Sequence, residues 1–164
     1  MRKLLFLCCF VVLMVSAGMA KDKLTSTWNC AKASDAHSID VGDQTNHTYS
    51  ITKTTCTSVK GEVGGVREKT GVGTEFEETM GSTITWHGVF VVTTENGDKI
   101  NYHYESSGKG MVKDGAFQSG DNKWSMAGGT GKFEHAKGEG MCKGKGNGDG
   151  TASWECSGEY SLGK

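Results

Sequence analysis

His103 and Glu105 stand two residues apart in Lys99 to Ser106 (K-I-N-Y-H-Y-E-S), a run that alternates like a β-strand. Two apart on a strand means one face, with the backbones roughly 7 Å apart. An imidazole and a carboxylate placed so can share a proton-transfer task when an apolar wall surrounds them. Just upstream, Ser82 to Thr94 (S-T-I-T-W-H-G-V-F-V-V-T-T) is the strongest strand signal in the chain, and Asn96-Gly97 between the two runs predicts a hairpin. A two-residue turn there sets Phe90 opposite His103 and Gly88 opposite Glu105. Trp86, Phe90, Val92, Asn101, His103 and Glu105 then share one face, and His87, Val89, Val91, Ile100, Tyr102 and Tyr104 the other. A one-residue bulge at the turn would re-pair the two sets. The chemistry this predicts is an acid–base pair, His103 and Glu105, or a binding wall of Trp86, Phe90, His103 and Glu105; on a solvent-facing side the same residues would do neither.

The remaining candidates point to binding and architecture. His37, His47, His87, His103 and His135 are scattered without metal-ligand spacing, so neither a metal nor a cofactor is expected. Trp28, Trp124 and Trp154 are core residues or stacking surfaces for a ligand. The glycines from Gly138 to Gly150 lack the strand–loop–helix setting of a phosphate-binding loop. Asn46-His47-Thr48 is a glycosylation sequon that matters only in a eukaryotic secretory pathway.

Export is the predicted address. Arg2 and Lys3 precede an unbroken apolar run, Leu4 to Val15, followed by small residues to Ala20, the pattern of a secretory signal peptide. The run is short for a membrane anchor. Residues 1–20 are therefore read as a signal peptide and 21–164 as one domain, periplasmic or extracellular, with no membrane span in the mature chain. The formal net charge of −1 becomes more acidic once Arg2 and Lys3 are gone, which speaks against a nucleic-acid partner.

Four cysteines remain beyond the signal: Cys30, Cys56, Cys142 and Cys156. An even count in an exported chain predicts two disulfides, with three pairings open. Cys30 and Cys56 flank the turn around Val41 to Thr45, and Cys142 and Cys156 flank Gly146 to Gly150. Antiparallel pairing about each turn would bring each pair within bonding reach. Cys30 with Cys156, joining first and last strands, is the main competitor.

The fold expectation is all-β: eight or nine short antiparallel strands closed into a barrel, which removes exposed edges. The chain has 25 glycines and no proline. His47 to Val59 reads as a strand, Lys60 to Met80 as a weak strand or two with a mobile polar loop, and Met111 to Phe117, Lys123 to Ala127, Lys137 to Lys143 and Thr151 to Tyr160 complete the set. Gly128, Gly129 and Gly131 mark a sharp structural turn, with Phe133 as its apolar anchor and Ala136 and Gly138 leaving room for a neighbouring strand.

The segment G-G-T-G-K-F-E-H-A-K-G from Gly128 to Gly138 resembles the glycine-rich segment of the dirigent and allene oxide cyclase barrels, and Val41-Gly42-Asp43 is similar to a V-G-D segment near their start. The resemblance implies an eight-stranded, calycin-like barrel with an apolar cavity, in a family whose barrels are often trimeric. It carries over no catalytic residue: the cyclases have a proline after V-G-D where this chain has Gln44-Thr45-Asn46, and the arginines of dirigent proteins are replaced by Lys132, Glu134 and Lys137. Three functions follow as expectations. The first is a barrel binding a small apolar or amphipathic molecule, with Trp86, Phe90, His103, Glu105, Trp28 and Trp124 as its contacts. The second is a cofactor-free isomerase or cyclase using His103 and Glu105. The third is a surface-associated structural module with a filled interior.

Overall fold

The computed structural model describes residues 21–163; the predicted signal peptide lies outside them. Ten strands follow in order: β1 (Asp22–Cys30), β2 (His37–Asp40), β3 (His47–Val63), β4 (Val66–Met80), β5 (Thr83–Thr94), β6 (Lys99–Ser106), β7 (Gly110–Lys113), β8 (Ala116–Gly129), β9 (Lys137–Gly146) and β10 (Ala152–Ser161). Eight of them form a closed antiparallel barrel in the order β1-β10-β9-β8-β6-β5-β4-β3, with β3 pairing back onto β1. The other two are accessories: β2 lies along β3, and β7 bridges β5 and β8. Closure leaves the eight barrel strands no free edge.

Two stretches read differently in the fold than in the sequence. Lys60 to Met80 holds no mobile loop. Strand β3 runs on to Val63, Gly64 and Gly65 turn with φ of 56° and 78°, and β4 runs the full length back to Met80. Two successive left-handed residues make the tight hairpin turn that suits twisted strands, and glycine adopts them without strain. Met111 to Phe117 is likewise not one strand, because Asp114 and Gly115, both at positive φ, turn β7 into β8.

Both disulfides join residues directly opposite one another. Cys142–Cys156 ties the β9–β10 hairpin. Cys30–Cys56 lies across β1 and β3, the seam at which the barrel closes, rather than inside a simple two-strand hairpin.

One end of the barrel is plugged. After β8 the chain forms a single 3-10 turn, Gly131–Phe133, that drives Phe133 into the interior beside Val63, Val92, Ile100 and Ala136, each of them fully buried. A side chain at Gly129 would collide with the Lys99 carbonyl, so the corner closes only with glycine there. Each of these large apolar side chains contributes roughly 1.5–3 kcal/mol by leaving water. The glycine turn and its Phe133 anchor thus set the floor beneath everything above.

Candidate functional site

The β5–β6 hairpin decides what faces the interior. Thr94 and Asp98 pair at its end, leaving Glu95, Asn96 and Gly97 as a three-residue loop with Gly97 at φ 89°. A loop of three residues with the last one left-handed is a favoured alternative to the two-residue turn, and it moves the register by one. Phe90 therefore pairs with Tyr102, and Val89 with His103. A one-residue shift exchanges faces. Trp86, Phe90 and Val92 point inward, and their neighbours on β6 are Ile100, Tyr102 and Tyr104. His103 and Glu105 are exposed on the outer wall, with Glu105 opposite His87. The expectation that His103 and Glu105 share a face with Trp86 and Phe90 is corrected accordingly.

The acids that do enter the barrel come from β4. A bulge between Glu68 and Thr70 changes the alternation, so Glu68, Gly71, Gly73, Glu75 and Glu77 project inward while Phe76 is left on the outer surface. The two tyrosines of β6 meet two of these acids. Tyr102 Oη donates to Glu68 Oε1 at 3.3 Å, and Tyr104 Oη donates to Glu75 Oε2 at 3.1 Å. Thr52 Oγ1 on β3 donates to Glu77 at 3.2 Å. Burial raises both Glu68 and Glu75 to about 7, because a carboxylate loses its hydration there; the negative charge of Glu77 adds to the rise at Glu75, and the hydroxyls of Tyr102 and Ser26 at Glu68 and of Tyr104 and Thr52 at Glu75 oppose it. Burial raises Glu77 as well. Desolvation and the neighbouring carboxylates hold Tyr102 and Tyr104 in the neutral, donating form.

Opposite the acids stands an aromatic wall. Trp28 meets Phe90 edge to face with centroids 5.1 Å apart, and Tyr102 meets Trp124 in the same way at 5.5 Å. Trp154 stacks on Phe117 and touches Trp86 edge-on, forming the layer away from the Phe133 plug. An eight-stranded barrel has an interior just wide enough to be filled by side chains or to hold one small ligand. Here bulky rings fit because glycines face them: Phe90 lies over Gly71, Trp124 over Gly140 and Gly158, and Trp154 over Gly144. Most of the lumen is filled in this way, and a cavity of about 110 Å³ remains between the acid and aromatic sides, with both disulfides in its wall.

Three buried polar atoms in that wall have no hydrogen-bond partner among the described residues: Glu68 Oε2, Asn122 Oδ1 and Trp124 Nε1. Glu68, Asn122 and Trp124 are 4%, 7% and 6% exposed. An unpaired buried donor or acceptor costs about 1–3 kcal/mol, so three around one cavity set this layer apart from the rest of the interior.

Of the residues singled out in the sequence, Trp28, Phe90 and Trp124 line this cavity, and Trp86 sits one layer away. Glu68, Glu75, Tyr102, Tyr104 and Asn122 are the residues that sequence reasoning missed. The period-two alternation Gly71, Gly73, Glu75, Glu77 was a usable signal, had an inward face been allowed to carry acids. Among the described residues no cluster of three or more His, Cys, Asp or Glu side chains has the arrangement to hold a metal ion. Nor is any helix there long and apolar enough to cross a membrane.

A second polar cluster lies apart from the cavity. His47, 6% exposed, is held by Asp43 Oδ1 at 2.7 Å and Glu78 Oε1 at 3.0 Å, and Tyr49 Oη donates to the same Glu78 oxygen. The hydrogen bonds to Asp43 and then Glu78 raise the imidazole above its ordinary range, while Asp43 and Glu78 are lowered by their hydrogen-bond partners. The cluster ties the β2–β3 turn to β4.

Comparison with known proteins adds little to this geometry. No family model matches the chain, and no curated protein matches it. Among solved structures, a conserved protein of unknown function from Rhodopseudomonas palustris is similar over 85% of this chain and 98% of its own, at 6% identity and a TM-score of 0.45. The chain itself is thus a small, disulfide-bonded, eight-stranded β-barrel with a polar-studded cavity in its lumen.

Proposed function

We propose that the protein is an exported carrier or sensor barrel that binds one small amphipathic molecule inside its lumen. The observation that carries this reading is the set of unpaired buried atoms, Glu68 Oε2, Asn122 Oδ1 and Trp124 Nε1, around an otherwise aromatic cavity. Binding sites of small molecules combine an apolar lining with a few well-placed polar groups. The size restricts the occupant: about 110 Å³ is below an apolar cavity of roughly 150 Å³ known to admit benzene. The paired cysteines support an oxidising compartment and hence export. The glycine segment from Gly128 to Gly138, with its resemblance to allene oxide cyclase and dirigent barrels, supports a role that uses the barrel interior.

Ligand-observed NMR with a panel of small amphiphiles tests the proposal, alongside Thr54→Leu, which adds bulk at the cavity wall. Binding by the native protein and its loss in a folded Thr54→Leu variant is the expected result. No binding by any probe, or equal binding by both proteins, overturns it.

A cofactor-free isomerase is the second reading, and one observation favours it: Glu68 and Glu75 face the cavity with acidities near neutrality, where a general acid or base works best. In that reading the proton-transfer role moves from His103 and Glu105 to the lumenal glutamates. Glu75→Gln would then abolish turnover of the substrate while leaving it bound; turnover that survives the substitution excludes Glu75 from the role.

A further inference from the structure

The cavity wall is unbalanced in charge and in hydrogen-bonding sense. Glu68 and Glu75 line it, and among the described residues no lysine, arginine or histidine does. Of the three atoms left without partners, two are acceptors, Glu68 Oε2 and Asn122 Oδ1, and one is a donor, Trp124 Nε1. Glu68 Oε2 occupies the space above Gly61, where any side chain would strike it, so the backbone of β3 makes room for this oxygen while Tyr102 holds the other, and no cation among the described residues meets the carboxylate. Opposite stand the rings of Trp28, Phe90, Trp124 and Trp154. Aromatic faces attract cations, most strongly away from water, and buried carboxylates gain most from a positive partner.

Resting on the binding function proposed above, we propose that the occupant is a small organic amine bound as its ammonium ion. Its N–H groups donate to Glu68 Oε2 and Asn122 Oδ1, and its hydrocarbon part lies against the aromatic wall. Trp124 Nε1 favours a molecule that also carries an acceptor, such as a hydroxyl or carbonyl oxygen. A hydrated metal ion does not fit this chemistry, because aromatic rings and disulfides cannot replace its water. A neutral amide or alcohol would satisfy the acceptors but leave the carboxylates without a counter-charge.

The test uses matched probes of two sizes on the disulfide-intact protein at pH about 8, where simple amines are cationic. Propylamine is compared with 1-propanol, and benzylamine with benzyl alcohol, following the fluorescence of Trp28, Trp124 and Trp154 or the heat of binding. The amine of at least one pair is expected to bind about tenfold or more tightly than its alcohol, since unscreened charge pairs are strong at low dielectric. Glu68→Gln and, separately, Glu75→Gln should each narrow that gap, and Glu155→Gln on the outer wall should leave it unchanged. Alcohols that bind as tightly as amines, or a gap untouched in whichever of the two lumenal variants folds, overturn the amine inference while the binding reading stands. If no probe of either class binds, both fall together.

Discussion

The two ends of the lumen solve opposite problems with the same strands. At the plugged end, Phe133, Val63, Val92 and Ile100 pack without solvent contact, and Thr94, the deepest hydroxyl there, is satisfied by the Asp98 carbonyl at 2.9 Å and by Asn96. In the adjoining layers β4 and β8 turn Glu68, the ladder partner of Thr94, and Asn122 inward, and Glu68 Oε2 and Asn122 Oδ1 have no hydrogen-bond partner among the described residues. The plug is what a stable barrel requires. The cavity is what stability alone would have removed, since apolar side chains of similar volume would serve folding better. That contrast separates the packed part of the interior from the part that the proposed ligand would occupy.

Substitutions at the two ends should therefore act in opposite senses. Phe133→Ala opens a void under the barrel and is expected to destabilise it by about 3–5 kcal/mol, measured by denaturant unfolding. A loss below about 1 kcal/mol would mean that the plug is not a packed core. The next effect comes from Glu68. Its pKa is raised in the folded protein to about 7 from an ordinary 4.5, so the native state holds its proton more tightly than the unfolded chain does. The stability it contributes is fully present below about 4.5 and is lost as pH rises through 7, a decline of roughly 3 kcal/mol. Glu75 behaves in the same way. Glu68→Gln is expected to flatten the fall in stability over that interval by about that amount, leaving the share due to Glu75. An unchanged pH profile would show that Glu68 is solvated, which would dissolve the distinction between the two ends.

The smallest effect belongs to neither end. With His47 raised, its share of stability is present below its ordinary 6.5 and lost as pH rises through the folded value. Asp43 and Glu78, lowered, lose theirs as pH falls through values under 3.8 and 4.5. The cluster is strongest in the window between. His47→Gln should lower the melting temperature more at pH about 5.5 than at about 8.5. The reverse order would contradict the ion-pair reading of this turn.

How much of this was legible in the sequence depended on whether local chemistry or long-range pairing decided the matter. Symmetry about a turn favoured both cysteine pairings over Cys30–Cys156, but its hairpin picture holds only for Cys142–Cys156, since Cys30–Cys56 closes the β1–β3 seam; the Gly128–Gly131 corner followed from glycines that a close approach explains. The closed barrel followed from strand content and the need to hide edges. The face of β6 was not legible in the same way, because the choice between a two-residue and a three-residue loop at Asn96-Gly97 turns on one backbone conformation, that of Gly97, yet reverses every side chain downstream. Strand β4 misled for a different reason: its inward face carries acids and glycines and its outer face carries Phe76, so it reads as polar loop to any rule that places apolar residues inside. The interior glutamates became visible only when Tyr102 and Tyr104 were seen to meet them.

The central proposal is that two buried carboxylates of the lumen, held by tyrosines but met by no cation among the described residues, serve a ligand. Carboxyl carbon NMR of Glu68 and Glu75, titrated with and without propylamine, tests it most directly. The account predicts both groups titrating near 7 in the free protein, and falling toward the ordinary carboxylate range when the amine is bound. Titration of both near 4.5 in the free protein, with no response to the amine, would contradict it.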